Sequence, residues 1–336
     1  MKALFFDPYL DSFGGGERYT LTLVEFLLKR GWWVDVIWEK ENILTDLAKR
    51  FGLNLAGARL LKNNFWLSKS YDLCFWLSDG SLPWLWAKRN VIHFQVPFHG
   101  VDGRAFLNFW KKGQISHFVC NSRFTKRFID REYGVNSQVI YPPVDVSQFQ
   151  RGKKEKLILS VGRFSQLMQA KRQDVLIKAF KKMVDEGLKG WRLILVGGVD
   201  VGGKEYFGQL KKQASGYPIE LWANIGFDQL KEWYAKARLF WYAAGYGVDG
   251  EKEPEKIEHF GMTTVEAMAA GCIPLVYPAG GVKEVIKEGE NGFFWWTTKE
   301  LREKTLLCLQ RRMVISVNRF SKENFVKRME RLINVN

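Results

Sequence analysis

Short apolar runs alternate with amphipathic helical stretches along nearly the whole chain, and that alternation restricts the fold more than any other feature. Residues 2–6, 33–38, 71–76, 90–94 and 117–120 read as strands in the first half, and 157–161, 191–197, 219–222, 238–241 and 292–295 in the second. Between them lie helical patterns, among them 19–29, a stretch from Ser122 to about 131, 173–185, 204–214 and 228–237. Strands separated by helices pair in parallel through right-handed crossovers, so the expected class is α/β with two doubly wound sheets. The stiff connector Ile140-Tyr141-Pro142-Pro143-Val144-Asp145 divides them, giving an N-terminal domain over 1–150 and a C-terminal domain over 151–319. Helical patterns at 299–311 and 321–333 close the chain, and the segment 320–336 is expected to return to the first domain. At 336 residues each half is large enough for its own core.

The densest cluster of chemistry is Glu258-His259-Phe260-Gly261-Met262-Thr263-Thr264-Val265-Glu266. Thr263 with Glu266 three positions later has the form of a capping box, which predicts a helix N-terminus there with Glu266 in its first turn. The unpaired amides of such a turn, at the positive end of the helix dipole, suit an anion such as phosphate. Two carboxylates beside them offer acceptors for hydroxyls. The plainer reading is an ordinary cap next to a solvated charge. The uncharged run that follows, with Gly271, Pro274, Pro278, Gly280 and Gly281, reads as helix, turn, buried strand and glycine turn, which sets the cluster inside an α/β unit.

Further candidates sit at the carboxyl ends of the expected strands. Gly14, Gly15 and Gly16 follow the first strand and permit close approach of backbone to a ligand. They do not match G-x-G-x-x-G, because Arg18 and Tyr19 stand where the last glycine belongs, so a nicotinamide or flavin site is disfavoured. His93 ends another strand and points at the crevice by the same rule. Arg163 and Lys171 flank one strand-to-helix loop, where two cations can pair with a diphosphate. The long loop from Tyr242 to Ile257 is expected to act as a flap.

Charge narrows the partners. The formal net charge is +15, with 19 Lys and Arg against 14 Asp and Glu over 1–150 and 32 against 22 over 151–336. A spread basic surface suits nucleotide phosphates, an anionic membrane or nucleic acid. Cys74, Cys120, Cys272 and Cys308 lie far apart in apolar runs, which fits reduced thiols rather than a zinc site. No apolar stretch reaches the roughly 20 residues of a membrane span, and the N-terminal run is too short for a leader. A cytoplasmic location is expected, with peripheral contact at the inner membrane face one reading of the basic surface.

The segments VCNSRFTKRF (119–128), YPPVD (141–145), SVGRF with AKRQDVL downstream (160–176) and EHFGMTTVEAMAAGCIPLVYPAGGVKEVI (258–286) resemble glycosyltransferase family 4. The resemblance implies the GT-B fold, two Rossmann-like domains facing a central cleft, and retaining transfer of a sugar from a nucleotide diphosphate sugar such as a UDP- or GDP-sugar. It implies that Arg163 and Lys171 neutralise the leaving diphosphate, that Glu266 holds the ribose hydroxyls and that Glu258 binds sugar hydroxyls at the reaction centre. Amides and side chains over Gly261, Met262, Thr263 and Thr264 would contact phosphate or sugar. Gly15 and Gly16 would close on the donor, and His93 would lie near the transferred sugar as a catalytic residue. The acceptor would be a glycan, a lipid-linked glycan or a small molecule, with no cofactor, no metal and no nucleic acid partner. No D-x-D occurs in the chain, which argues against a metal-dependent GT-A enzyme. A basic nucleic-acid-binding protein and a hydrolase or epimerase of nucleotide sugars stand as the alternatives.

Overall fold

The computed structural model describes residues 1–62, 67–166, 168–199 and 202–333. The chain divides into two compact units, Met1–Pro143 with Arg319–Asn336, and Val144–Asn318. The division falls inside the proline connector, because Pro142 and Pro143 cannot donate to a ladder and so end the sheet.

The first unit runs β1 (Lys2–Phe6), α1 (Gly15–Lys29), β2 (Trp33–Ile37), α2 (Ile43–Phe51), β3 (Arg59–Leu61), β4 (Leu73–Leu77), β5 (Arg89–Phe94), α3 (Phe106–Lys112), β6 (His117–Cys120), α4 (Arg123–Tyr133) and β7 (Gln138–Val139). All its strands pair in parallel in the order β3-β2-β1-β4-β5-β6-β7. Fully buried strands must be apolar on both faces, which is why Ala3, Leu4 and Phe5 in β1 and Leu73, Cys74 and Phe75 in β4 are all interior. Ser122 caps α4 as expected, its Oγ accepting from the Thr125 amide at 3.1 Å. The strand β3 and the helices α2 and α3 have no counterpart in the sequence reading.

The second unit runs β8 (Glu155–Val161), α5 (Gln173–Asp185), β9 (Arg192–Gly197), α6 (Lys204–Ala214), β10 (Ile219–Ala223), α7 (Phe227–Lys236), β11 (Ala237–Tyr242), α8 (Met262–Ala269), β12 (Ile273–Val276), β13 (Phe293–Phe294) and α9 (Thr298–Cys308). Its parallel order is β10-β9-β8-β11-β12-β13. Val175, Leu176, Ala179, Phe180 and Met183 of α5 lie in the core with Leu193, Leu195, Leu239 and Trp241. The last helix, α10 (Lys322–Ile333), belongs to the first unit: Phe325, Met329, Leu332 and Ile333 join the core around α1, and Lys322 pairs with Glu25 at 2.6 Å. Residues 334–336 of the expected returning segment lie outside the described residues.

In both sheets the strand order reverses once, between β1 and β4 and between β8 and β11. In the second sheet α5 follows β8 and α8 follows β11, and the rule for open α/β sheets puts a crevice beyond the carboxyl ends at that reversal.

Candidate active site

At the reversal of the second sheet, the chain leaves β8 through Gly162 and Arg163 and leaves β11 at Tyr242. Gly162 is required because Lys171 comes back across it: a Cβ there would lie 2.6 Å from the lysine Cγ. Gln173, the first residue of α5, fixes this loop by donating from Nε2 to the carbonyls of Gly162 and Arg163 at 3.1 and 3.0 Å. Lys171 is thereby aimed at Glu258, with Nζ 2.7 Å from Oε2, and stands 5.5 Å over the Tyr242 ring.

Glu258 is almost enclosed. Its Oε2 also accepts from the Tyr242 hydroxyl, and its Oε1 accepts from the Phe260 amide at 3.2 Å. Burial alone would push this carboxyl up. The Lys171 ammonium, its hydrogen bond and the Tyr242 hydroxyl overcome burial and hold the carboxyl at about 2. The exposed Arg163 adds positive potential, felt at the Tyr242 hydroxyl, whose pKa is nevertheless raised by burial and by Glu258. Beside it, burial lowers His259 to about 4, and its Nδ1 lies 2.8 Å from the Gln169 amide nitrogen, so the ring is neutral at physiological pH.

The backbone around Glu258 is held by the glycine turn after β12. Gly281 donates to the Glu258 carbonyl at 2.8 Å, and a Cβ on Gly281 would stand 1.9 Å from the His259 carbonyl oxygen. Only a residue without a side chain permits that approach. Gly261 follows in the left-handed region at φ 98° and is the N-cap of α8.

That cap corrects the expected capping box. Helix α8 starts at Met262, Thr263 accepts no bond as a cap, and Glu266 falls beyond the first turn. The Glu266 carboxylate turns instead to Tyr234, whose hydroxyl donates to Oε2 at 3.0 Å. The first bond of the helix runs from the Thr264 amide to the Gly261 carbonyl at 3.1 Å, so the amides of Met262 and Thr263 precede any intrahelical acceptor. The Thr264 hydroxyl is buried and has no hydrogen-bond partner among the described residues. Arg163, Lys171, Glu258 and the N-terminus of α8 thus gather at one sheet reversal; Tyr242, Tyr234 and Gln173, which hold them, went unnoticed in the sequence. Tyr242 was open to detection, since it ends a strand next to the reversal.

The segment after Tyr242 is packed into the fold at both ends, with Gly247, Asp249, Glu251 and Lys252 exposed between them. Ala243, Ala244, Pro254 and Ile257 are buried, and the Tyr246 carbonyl accepts from Arg172 at 2.6 Å. Its small apolar residues fill space under the glycine turn, where a Cβ on Gly245 would meet Ala279 at 2.5 Å.

In the first unit the glycines are not a loop before a helix at Tyr19. Gly15 and Gly16 form the first turn of α1, and Glu17 reaches back to the Gly14 amide while accepting from Ser12 Oγ at 2.9 Å. Glu17 supplies the capping contact, so the helix begins four residues early. Behind the turn lies Asp7, whose carboxyl is raised to about 7 by burial and by Glu17.

His93 requires a correction. The ring is wholly buried, stacked on Tyr19 at 3.9 Å, with Nδ1 3.2 Å from the Val119 carbonyl and Nε2 3.0 Å from the Gln95 amide nitrogen. The carbonyl fixes the proton on Nδ1 and leaves Nε2 to accept from Gln95. Burial lowers the pKa to about 3. His93 therefore orients Gln95, whose Oε1 faces Gly16, where a Cβ would be 3.3 Å away. Among the described residues, no three His, Cys, Asp or Glu side chains gather as a metal ligand set.

Two family profiles cover this framework. "Glycosyltransferase Family 4" matches residues 13–148 and "Glycosyl transferases group 1" matches 144–304, meeting where the two units divide. The chain is a family 4 glycosyltransferase. This glycosyltransferase is 28% identical over 350 residues to the GDP-Man:Man(3)GlcNAc(2)-PP-Dol alpha-1,2-mannosyltransferase of Xenopus tropicalis, covering 95% of the chain and 63% of the relative. The human protein of the same name is 24% identical over 352 residues, with the same coverage. The chain thus spans less than two thirds of the length of these relatives. Its fold is that of GT-B glycosyltransferases. A glycosyltransferase from Rickettsia africae superposes with a TM-score of 0.77 at 17% identity, over 100% of this chain and 99% of the other. Anabaena HepE in complex with UDP and glucose superposes with a TM-score of 0.73 at 18% identity, covering 100% of both chains.

Proposed function

We propose that this glycosyltransferase transfers mannose from GDP-mannose to a lipid-linked glycan, with retention at the anomeric carbon and without a metal ion. The observation that carries the reading is the Lys171–Glu258 pair beside Arg163 and the open amides of α8. The base, the sugar and the acceptor follow the names of the curated relatives. Retention is supported by the alpha linkage in those names, because the sugar of GDP-mannose is itself α-linked.

Each group has a part that its geometry permits. Departure of the sugar leaves negative charge on the diphosphate, and preorganised cations and amides stabilise that charge most where water is scarce. Arg163 supplies a planar fork for the phosphate oxygens, and Lys171, with one N–H spent on Glu258, has two others to give. The amides of Met262 and Thr263 and the orphaned Thr264 hydroxyl offer donors beside them. Held at about 2, Glu258 is ionised throughout the physiological range, so it accepts sugar hydroxyls and does not act as a general acid. Glu266, anchored by Tyr234, takes the ribose hydroxyls. The first unit, with Gly15 and Gly16 opening α1, takes the acceptor side.

Isothermal titration with GDP, UDP, ADP and GDP-mannose tests the donor site. Arg163→Ala and Glu266→Ala are each expected to weaken GDP binding by roughly 10- to 100-fold, the worth of a charged hydrogen bond. Unchanged affinity in both variants overturns the assignment, and tighter binding of UDP than GDP overturns the choice of base. Excess EDTA is expected to leave the initial transfer rate within error of the untreated enzyme. A loss of turnover that manganese restores contradicts the metal-free reading.

A further inference from the structure

Helix α3 is turned the wrong way round for a helix in water. Phe106, Leu107, Phe109 and Trp110 are 75%, 64%, 66% and 58% exposed, and no residue of the helix is buried. At about 100° per residue these four share one side, and Asn108, Lys111 and Lys112 share the other. The polar side is the one that faces protein: Lys112 Nζ donates to the Tyr133 carbonyl at 2.7 Å, and Lys111 and Asn108 are half-buried.

The orientation is fixed by a built mount. The Glu132 carboxylate accepts from the amides of Gly100, Val101 and Gly103 at 2.9, 3.0 and 3.2 Å, which clamps the segment entering α3. Arg104 donates to the Arg131 carbonyl from Nε and Nη2 at 3.1 and 3.0 Å. Gly103 lies so close to Tyr133 that a Cβ would be 2.7 Å from its ring. Asn90 then ties the exit of α3 to a second aromatic segment, donating to the carbonyls of Ala87 and Gln114 at 3.1 and 2.9 Å. That segment carries the stacked Trp84 and Trp86, followed by Lys88 and Arg89.

We propose that α3 lies in the headgroup layer of an anionic lipid bilayer, with Phe106, Leu107, Phe109 and Trp110 entering the acyl boundary. Aromatic and leucine side chains on one face with lysines flanking them are what such a layer accepts. Charge favours lipid over a second copy of the chain: residues 104–131 hold seven Lys and Arg against Asp130 alone. Size agrees, since the apolar face offers a few hundred Å², short of the ~800 Å² per partner of a stable dimer. The inference gives a surface to the lipid-linked acceptor reading and rests on it for its use. Vesicle binding is read without sugar transfer, so the two fail separately.

Co-sedimentation with phosphatidylcholine–phosphatidylglycerol vesicles, against pure phosphatidylcholine, tests it. The wild type is expected to partition about tenfold or more in favour of the mixed vesicles, Phe109→Ser/Trp110→Ser to lower that partition by about 100-fold, and Lys111→Glu by about fivefold or more. Both variants should keep the wild-type Tm, because the altered side chains are largely outside the core. Three outcomes overturn the proposal: a wild type that ignores mixed vesicles, a double variant that binds them equally, or a wild-type dimer that the double variant converts to monomer while vesicles draw down neither.

Discussion

Lys171→Met is expected to cost the second unit about 3–5 kcal/mol of stability, as breaking a buried pair from one side does, and to remove most transfer activity. The cause is the carboxylate left behind. The side chains of Lys171 and Glu258 are only 12% and 11% exposed, so the loss of the ammonium strands a charge that solvent cannot reach. The carboxyl shift gives a similar figure from another direction: a group held at about 2 instead of 4.5 contributes about 3 kcal/mol at neutral pH. In the wild type that contribution is complete above about 4.5 and is lost as pH falls toward 2. Without Lys171, burial dominates and the carboxyl rises above 4.5, so the variant loses stability as pH rises through its new pKa. His259, lowered to about 4 by burial with a contribution from Lys171, also destabilises the protein as it is acidified, and the Glu258→Gln profile separates its share from that of Glu258. Chemical denaturation of the wild type, Lys171→Met, Glu258→Gln and the double variant over pH 3 to pH 8 checks this. The double variant should recover a good part of the loss, since the stranded charge is gone. A single variant as stable as wild type at pH 7, with an unaltered pH slope, would show that the pair does not hold the site together.

The scaffold was legible in the sequence because its strands are buried on both faces. Runs such as residues 157–161 and 191–197 are apolar but for Ser160 and Arg192, too few polar residues for a helix face, and the helices between them show one clean apolar stripe. Of the elements missed, β3 and α3 are short and edge-lying or exposed, and their apolar residues do not mark a core, while α2 buries only Ile43 and Leu47. The site was half legible. The paired carboxylates of the 258–266 stretch picked out Glu258, and residue types at strand ends picked out Arg163 and Lys171, since the crevice rule depends only on chain order. It failed for His93, because a strand end does not say whether a ring points along the sheet or into it. The capping box failed for a different reason: Thr263 and Glu266 have the right spacing, but Gly261 at φ 98° starts the helix first and Tyr234, 32 residues away in sequence, takes the carboxylate. Partners that arrive from a distant element, as Tyr234 does from α7, leave no local pattern to read.

The glycine turn supplies the second large effect, and it works through backbone alone. Gly281→Ala would set a methyl 1.9 Å from the His259 carbonyl oxygen and 2.9 Å from the Phe260 Cα, distances that real atoms do not tolerate. Either the turn or the Glu258–Phe260 segment must retreat by more than 1 Å, and the hydrogen bond from Gly281 to the Glu258 carbonyl goes with it. Overpacking of this severity costs about 3 kcal/mol, or roughly 6–12 °C in Tm for a unit of this size. A displacement near 1 Å in a positioning group also costs about 100-fold in rate. The variant is therefore expected to lose about two orders of magnitude in kcat/KM although the change adds a single methyl group. Gly208→Ala is the matched control. It lies within α6 with nothing inside 4 Å of the added carbon, so it should stabilise the helix by roughly 0.5–1 kcal/mol and leave the rate unchanged. Differential scanning calorimetry and initial-rate kinetics on the two variants separate the cases: a Gly281→Ala enzyme with unaltered Tm and kcat/KM would mean that the Glu258 segment moves freely of the turn, and the precise placement assigned to Glu258 would have to be abandoned.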